Sequence, residues 1–177
     1  MHALEEELKT IDDIYALPDG VRAELIDGVI YDMATPSISH QRISGDFFAD
    51  IINYIRSNNG NCEALYAPFA VFLFNDEYNY VEPDIAVIFD KGKLDDKGCH
   101  GAPDFIIEIV SPSSTNMDYM IKLFKYRSAG VKEYWIVDPM KKAIRTYLFD
   151  RDETNEYTFS EEIPVGIYND DLKLKVY

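Results

Sequence analysis

Apolar residues recur along this chain with two different periods, and the change of period divides it into helices and strands. Leu4, Leu8, Ile11 and Ile14 stand three or four apart, which predicts a short amphipathic helix over residues 3–16. Pro18 and Gly20 then punctuate a turn. Residues 23–33, AELIDGVIYDM, read as two short strands joined at Asp27-Gly28, a favoured two-residue hairpin turn. The strongest helix pattern covers residues 39–58, where Ile43, Phe47, Ile51 and Ile55 repeat every four residues and Phe48, Ile52 and Tyr54 widen the stripe. Residues 64–74 and 81–89 are strand-like, with a polar turn between them and an exposed loop over 90–98.

Residues 103–111 are apolar at nearly every position, which marks a central strand covered on both faces. A second helix is expected over 115–129, capped by Ser114 or Thr115 and ended by Gly130. Residues 133–139 form another buried strand, stopped by Pro139. The segments 142–149 and 156–159 extend it as an antiparallel hairpin about a turn at 150–155, and the tail DLKLKVY adds an edge strand. Strands, a helix and strands again give an α/β class with a mixed sheet and helices on its faces. A length of 177 residues suits one domain. The expected organisation is thus a single unit over 1–177: the N-terminal helix, a core from about 20 to 150, and C-terminal strands.

Composition narrows the function classes. Hydrophobic residues make up 47% of the chain, enough to fill a core. No apolar run approaches the about 18 residues of a membrane span, and the start MHALEEELKTIDD has neither the basic nor the apolar region of a secretory signal. Cys62 and Cys99 are too few for a disulfide framework or an all-cysteine zinc site. They read as free thiols in a reducing compartment, which makes the cytoplasm the expected location. The formal charge of −15 opposes a broad nucleic-acid-binding surface. Only residues 111–150 reverse the sign, with 7 basic against 4 acidic side chains, so any electropositive face is expected there.

Within this pattern a few charged residues sit where charge is costly. Glu108 lies among Ile106, Ile107, Ile109 and Val110, and an ionised carboxylate in such a strand needs a cation or a metal. Asp84 enters the apolar run 85–89 directly after Pro83. Two carboxylates on adjacent strands can converge on an oxygen-liganded Mg2+ or Mn2+. Asp104 is four residues from Glu108 on the same strand, roughly 13 Å away, too far to share an ion. Lys122 follows on the next helix, four residues from both Asp118 and Tyr126, so the three share a helical face. Tyr126 and Trp135 read as core or as wall of the site, and Ser111 and Ser113 as strand-end and cap residues.

Three passages carry a resemblance: ELIDG (24–28) with His40, the EPD of 82–84, and IIEIVSPSS…D…K…Y…AGVKEYWIVDP from 106 to 139. They resemble the "putative restriction endonuclease" family of the PD-(D/E)XK nuclease superfamily over about residues 20–150. The resemblance implies a restriction-endonuclease-like mixed sheet flanked by helices, with metal held by Asp84 and Glu108. It implies a Mg2+- or Mn2+-dependent endonuclease hydrolysing phosphodiesters, with DNA as the expected nucleic acid. In the superfamily pattern a lysine stands two residues after the glutamate. Val110 occupies that place here, and Lys122 matches relatives in which the lysine has moved to the following helix. Glu24 matches an early acidic residue that binds metal directly or through water, and His40 a recurrent histidine at the entrance of the first long helix. Together with Asp118 and Tyr126, His40 is expected to flank the cleft.

Two other readings use the same residues. A nuclease fold kept as a binding or assembly module without catalysis is favoured by the −15 charge and by Val110. Hydrolysis of a small phosphoester is the other. A homodimer paired through the hairpin at 142–159 is an expectation from size and strand edges alone.

Overall fold

The computed structural model describes residues 7–177. Among the described residues helix α1 spans Ile11–Tyr15, so residues 7–10 of the helix expected over 3–16 are not helical and residues 3–6 lie outside the description. The Lys9 amide donates to the Gly28 carbonyl at 2.8 Å, which ties this stretch to the neighbouring hairpin and keeps it out of a helix. Leu4 lies outside the described residues. Strands β1 (Ala23–Ile26) and β2 (Val29–Asp32) form the expected hairpin. Asp27 and Gly28 turn it with positive φ of 50° and 74°, the backbone that an Asp-Gly pair supplies most readily.

Helix α2 (Ile38–Ser57) opens on Ser37, whose hydroxyl accepts from the His40 amide at 3.2 Å. Its stripe of Ile43, Phe47, Ile51 and Ile55 is buried, as the four-residue repeat predicts. Each such side chain contributes roughly 1.5–3 kcal/mol by leaving water.

The apolar run 64–74, expected as one strand, is two. Strand β3 (Glu63–Tyr66) stays in the main sheet, while β4 (Val71–Phe72) leaves for a small separate one. Pro68 stands between them and has no amide hydrogen to continue a ladder. Likewise β5 spans Ile85–Ile88 and begins only after Pro83, while Val81 makes an isolated bridge with Val71. The loop expected over 90–98 holds β6 (Leu94–Asp95), which pairs with β7 (Gly98–His100).

Strand β8 (Phe105–Ile109) is buried throughout. The following helix runs over residues 115–129: Thr115 and Asn116 are α-helical, Met117–Lys122 form a π-helical turn, and α3 (Leu123–Ala129) completes it. Gly130, with φ of 94°, ends it in the left-handed conformation. No side chain caps the π-turn. Ser114 instead offers its carbonyl to the Asp118 amide at 2.9 Å and its hydroxyl to the Asp118 carboxylate.

Strands β9 (Glu133–Asp138), β10 (Ala143–Leu148) and β11 (Glu153–Thr158) complete the main sheet. The β10–β11 turn is tighter than the one expected over 150–155, closing at Phe149–Arg151 with Asp152 at φ of 52°. The tail also differs: β12 (Ile163–Pro164) pairs with β13 (Lys173–Leu174) as a separate ribbon rather than an edge of the main sheet.

The six-stranded sheet runs β11-β10-β9-β8-β5-β3. Only β8 and β9 are parallel, so the sheet is mixed, and the π-turn with α3 supplies the crossover that parallel neighbours need. One face packs Val87, Ile107 and Trp135 against α2. The other packs Ala86, Ile106 and Tyr134 against Tyr126 of α3. No helix of the described residues is long and apolar enough to cross a membrane. Cys62 and Cys99 are both free thiols.

One buried charge organises the far end of the sheet. Glu133 has no solvent exposure, and burial pushes its carboxyl above the usual range, opposed by three hydrogen bonds. Its oxygens accept from the Ile167 amide at 2.8 Å, from Trp135 Nε1 at 2.7 Å and from the Gly166 amide at 3.1 Å. Glu133→Ala strands three donors, two of them in fully buried bonds, and is expected to cost on the order of 3 kcal/mol in urea unfolding.

Candidate active site

The site forms where β5, β8, the β1 hairpin and the π-turn meet. Ile85 pairs with Ile107 across the antiparallel β5–β8 ladder, so the register carries Asp84 opposite Glu108. Adjacent strands thus present the two carboxylates at matching register positions. Asp104 lies at the other end of β8, where it pairs with Lys132 at 2.7 Å and accepts from the Phe89 amide. It takes no part in the site.

Lys122 sits at the centre of the acidic cluster, with 4% exposure. Its ammonium is 2.9 Å from Glu24 Oε2, 2.9 Å from Glu108 Oε1 and 3.8 Å from Asp118 Oδ1. Tyr126 donates its hydroxyl to the same Glu108 Oε1 at 2.6 Å. Asp118, Lys122 and Tyr126 therefore do share a face, although the backbone that presents the first two is a π-turn and not the α-helix expected. Such turns widen the helix locally and are common at functional sites. Tyr126 is thereby a partner of Glu108, a closer role than the site wall expected.

Asp84 is held from its other side. Its Oδ2 accepts from the Ile109 amide at 2.7 Å and lies 3.1 Å from His40 Nε2. His40 comes from the first turn of α2, where the Ser37 cap fixes the backbone. The Nδ1 atom of His40 is buried and has no hydrogen-bond partner among the described residues. Among the described residues, no hydrogen bond reaches Asp84 Oδ1 or Glu108 Oε2. Glu24 differs, since its Oε1 accepts from the Glu82 amide at 2.9 Å and its Oε2 faces Lys122.

Burial pushes the Glu108 carboxyl above the usual range, with Lys122 opposing and Asp84, Asp118 and Glu24 adding to it. Burial likewise pushes Asp118 up to about 6, against Lys122 and the Ser114 hydroxyl. For Lys122 burial works against the charge, yet Glu108, Glu24 and Asp118 outweigh it and hold the ammonium well above its ordinary value. The site thus retains a buried cation.

A cleft of about 600 Å³ opens onto these groups. Glu24, His40, Asp84, Glu108, Asp118 and Lys122 all line it. The sequence pattern did not single out Arg22, Tyr66 and Glu82. Arg22 lines the cleft and pairs with Glu82, which also accepts from the Tyr80 hydroxyl at 2.8 Å. The EPD passage contains Glu82, but only the structure distinguishes this spent carboxylate from Asp84. Tyr66 stands exposed at the cleft with Phe48 against its ring at 4.6 Å.

Among the described residues no three His, Cys, Asp or Glu side chains form a ready-made metal cage. The donor set still fits a hard cation. Asp84 and Glu108 each keep one oxygen without a protein partner, and Mg2+ commonly takes one or two carboxylates while retaining waters.

A family model described as "Putative restriction endonuclease", Uma2, matches residues 9–167. The chain belongs to the Uma2 family. No curated protein sequence matches it. Among solved structures it is similar to the crystal structure of a putative nuclease from Anabaena variabilis, with a TM-score of 0.75. The two are 21% identical, and the match covers 94% of each chain. That likeness establishes the fold as nuclease-like, and Uma2 membership supports a nuclease. The resemblance seen in the sequence, the mixed sheet and the nuclease class therefore agree.

Proposed function

We propose that this protein is a divalent-metal-dependent endonuclease that hydrolyses phosphodiester bonds in DNA. The observation that carries the reading is the Asp84–Glu108 pair. The two stand opposite each other on adjacent strands, each tied through one oxygen and free at the other, beside a buried lysine. Asp84 and Glu108 would hold the ion, and an all-oxygen set would select Mg2+ or Mn2+ over softer metals. When bound, such an ion polarises the scissile phosphate and lowers the pKa of a coordinated water.

The chain's own residues do the rest. Tyr126 and Lys122 fix Glu108 from one side, while His40 and the Ile109 amide fix Asp84 from the other. Lys122 contributes positive charge that a pentacovalent phosphate attracts as it gains negative charge. Asp118 faces that ammonium and, through Ser114, anchors the start of the π-turn.

The decisive experiment is cleavage of a panel of single-stranded, duplex and branched DNA and RNA in Mg2+ and in Mn2+, with calorimetric titration of each metal. Cleavage of a DNA form in either metal, with metal binding, is the expected result. Absence of cleavage on every form would overturn the catalytic reading. A catalytically silent nuclease-fold module is the second reading, favoured by the net charge of −15. Failure of both metals to bind would support it.

A further inference from the structure

We propose that Glu24 is a positioning residue for Lys122 and not a metal ligand, so that the lysine and the metal ion use opposite oxygens of Glu108. The ion's half of this proposal rests on the metal-centre reading above; the lysine's half stands on contacts within the chain.

The carboxylate oxygens of the cluster differ in their partners. Asp84 and Glu108 each leave one oxygen without a protein donor, and both residues line the cleft. Glu24 leaves none. Its Oε1 accepts from the Glu82 amide at 2.9 Å and its Oε2 lies 2.9 Å from Lys122 Nζ. To reach an ion, Glu24 must abandon either a buried amide or a buried ammonium, and both losses are costly. The Glu82 amide makes no other hydrogen bond among the described residues. Glu24 is itself 4% exposed on a strand whose four residues are all buried, which leaves its side chain little room to swing.

Charge gives the arrangement its purpose. A dication at Glu108 Oε2 and an ammonium at Glu108 Oε1 repel each other. Negative charge on the far side of Lys122 offsets that repulsion, and Glu24 supplies it from β1 while Asp118 supplies it from the π-turn. An ammonium has three donors on a flexible four-carbon stem, so it needs several fixed acceptors to stay in one place. Glu24 and Glu108, at 2.9 Å each, are the two close ones. Lys122 is thus held for use by a residue whose own two oxygens are already taken.

Two measurements test this. The first is the preference for Cd2+ over Mn2+ in calorimetric titration of the wild type, Asp84→Cys and Glu24→Cys, since a thiolate brought onto a metal draws the softer ion. Asp84→Cys is expected to raise that preference about tenfold or more, and Glu24→Cys to leave it within about threefold of wild type. An equal rise in both variants would overturn the proposal. The second is a double-mutant cycle on unfolding midpoints in chelator, using Glu24→Gln, Lys122→Met and the pair. Each single change is expected to lower the midpoint, with the double variant no less stable than Lys122→Met alone. Midpoint losses that simply add would overturn the anchor. A wild type that binds neither metal would overturn the metal-centre reading and the ion's half with it, while the cycle still decides the lysine's half. In the active protein Glu24→Gln is expected to lower kcat about tenfold with KM unchanged, a split that a general loss of folding does not produce.

Discussion

Glu108→Gln is expected to abolish cleavage in Mg2+ or Mn2+, by about a thousandfold or more, and to leave the fold in place. The catalytic loss follows from charge: an amide oxygen is a poor substitute for a carboxylate toward a hard dication, and only Asp84 then remains as an anionic ligand. The fold survives because the contacts that pack Glu108 need an acceptor, not an anion. Tyr126 at 2.6 Å and Lys122 at 2.9 Å can both donate to the glutamine carbonyl. Burial already pushes the Glu108 carboxyl upward, so removing its charge also removes a desolvation cost, partly offset by the weakened attraction to Lys122. The net change in unfolding free energy is expected to stay within about 1–2 kcal/mol. Plasmid cleavage and urea unfolding on the same preparation check both halves. A variant that still cuts at the wild-type rate would remove Glu108 from the centre.

The features that were legible in the sequence are those in which one residue violates its surroundings or repeats at a fixed interval. Glu108 stood out because four aliphatic neighbours enclose it, and the strand it interrupts is indeed buried throughout. Ile43, Phe47, Ile51 and Ile55 announced α2 by spacing, and all four are buried. The four-residue interval linking Asp118, Lys122 and Tyr126 survived even though a π-turn replaces the first α-turns, because a side chain four residues on still lies on nearly the same face.

What escaped reading depends on partners distant in sequence. The run 64–74 is continuous in hydrophobicity, but β4, two residues long, pairs with β7, three residues long, and both are too short to show a period. In the sequence Glu133 is simply the first residue of the strand over 133–139; its partners Gly166 and Ile167 lie 33 and 34 positions away. Glu24 could be placed in a hairpin, but only the contact between β1 and the π-turn reveals that its charge is spent on Lys122. In each case local pattern gives the element, and tertiary contact decides what its side chains do.

Lys122→Met is expected to have the largest effect on stability, about 3–5 kcal/mol near neutral pH, because it leaves Glu24, Glu108 and Asp118 buried around no cation. The loss has a pH signature whose sign is fixed. In the wild type Asp118 titrates at about 6 in the folded protein against an ordinary value of 3.8, so between those values the folded state binds more protons than the unfolded one. Its contribution therefore falls as pH rises through that window. Burial raises Glu108 in the same direction. Lys122 opposes both shifts, so its removal moves both carboxyls further upward and steepens the decline. The lysine's own raised value means that its stabilisation is fully present at neutral pH and is lost only as pH rises through that value. The gap between wild type and Lys122→Met is thus expected to be widest at about pH 8 and to shrink towards about pH 5, where the carboxyls can take up protons instead. Added Mg2+ or Mn2+ is expected to recover part of the deficit at pH 8, since an ion bound only by the folded state stabilises it by mass action. Urea unfolding of both proteins at the two pH values, with and without metal, measures all three effects. A deficit that is the same at pH 5 and pH 8 would mean that Lys122 contributes by packing its stem, and not by neutralising the carboxylates that surround it.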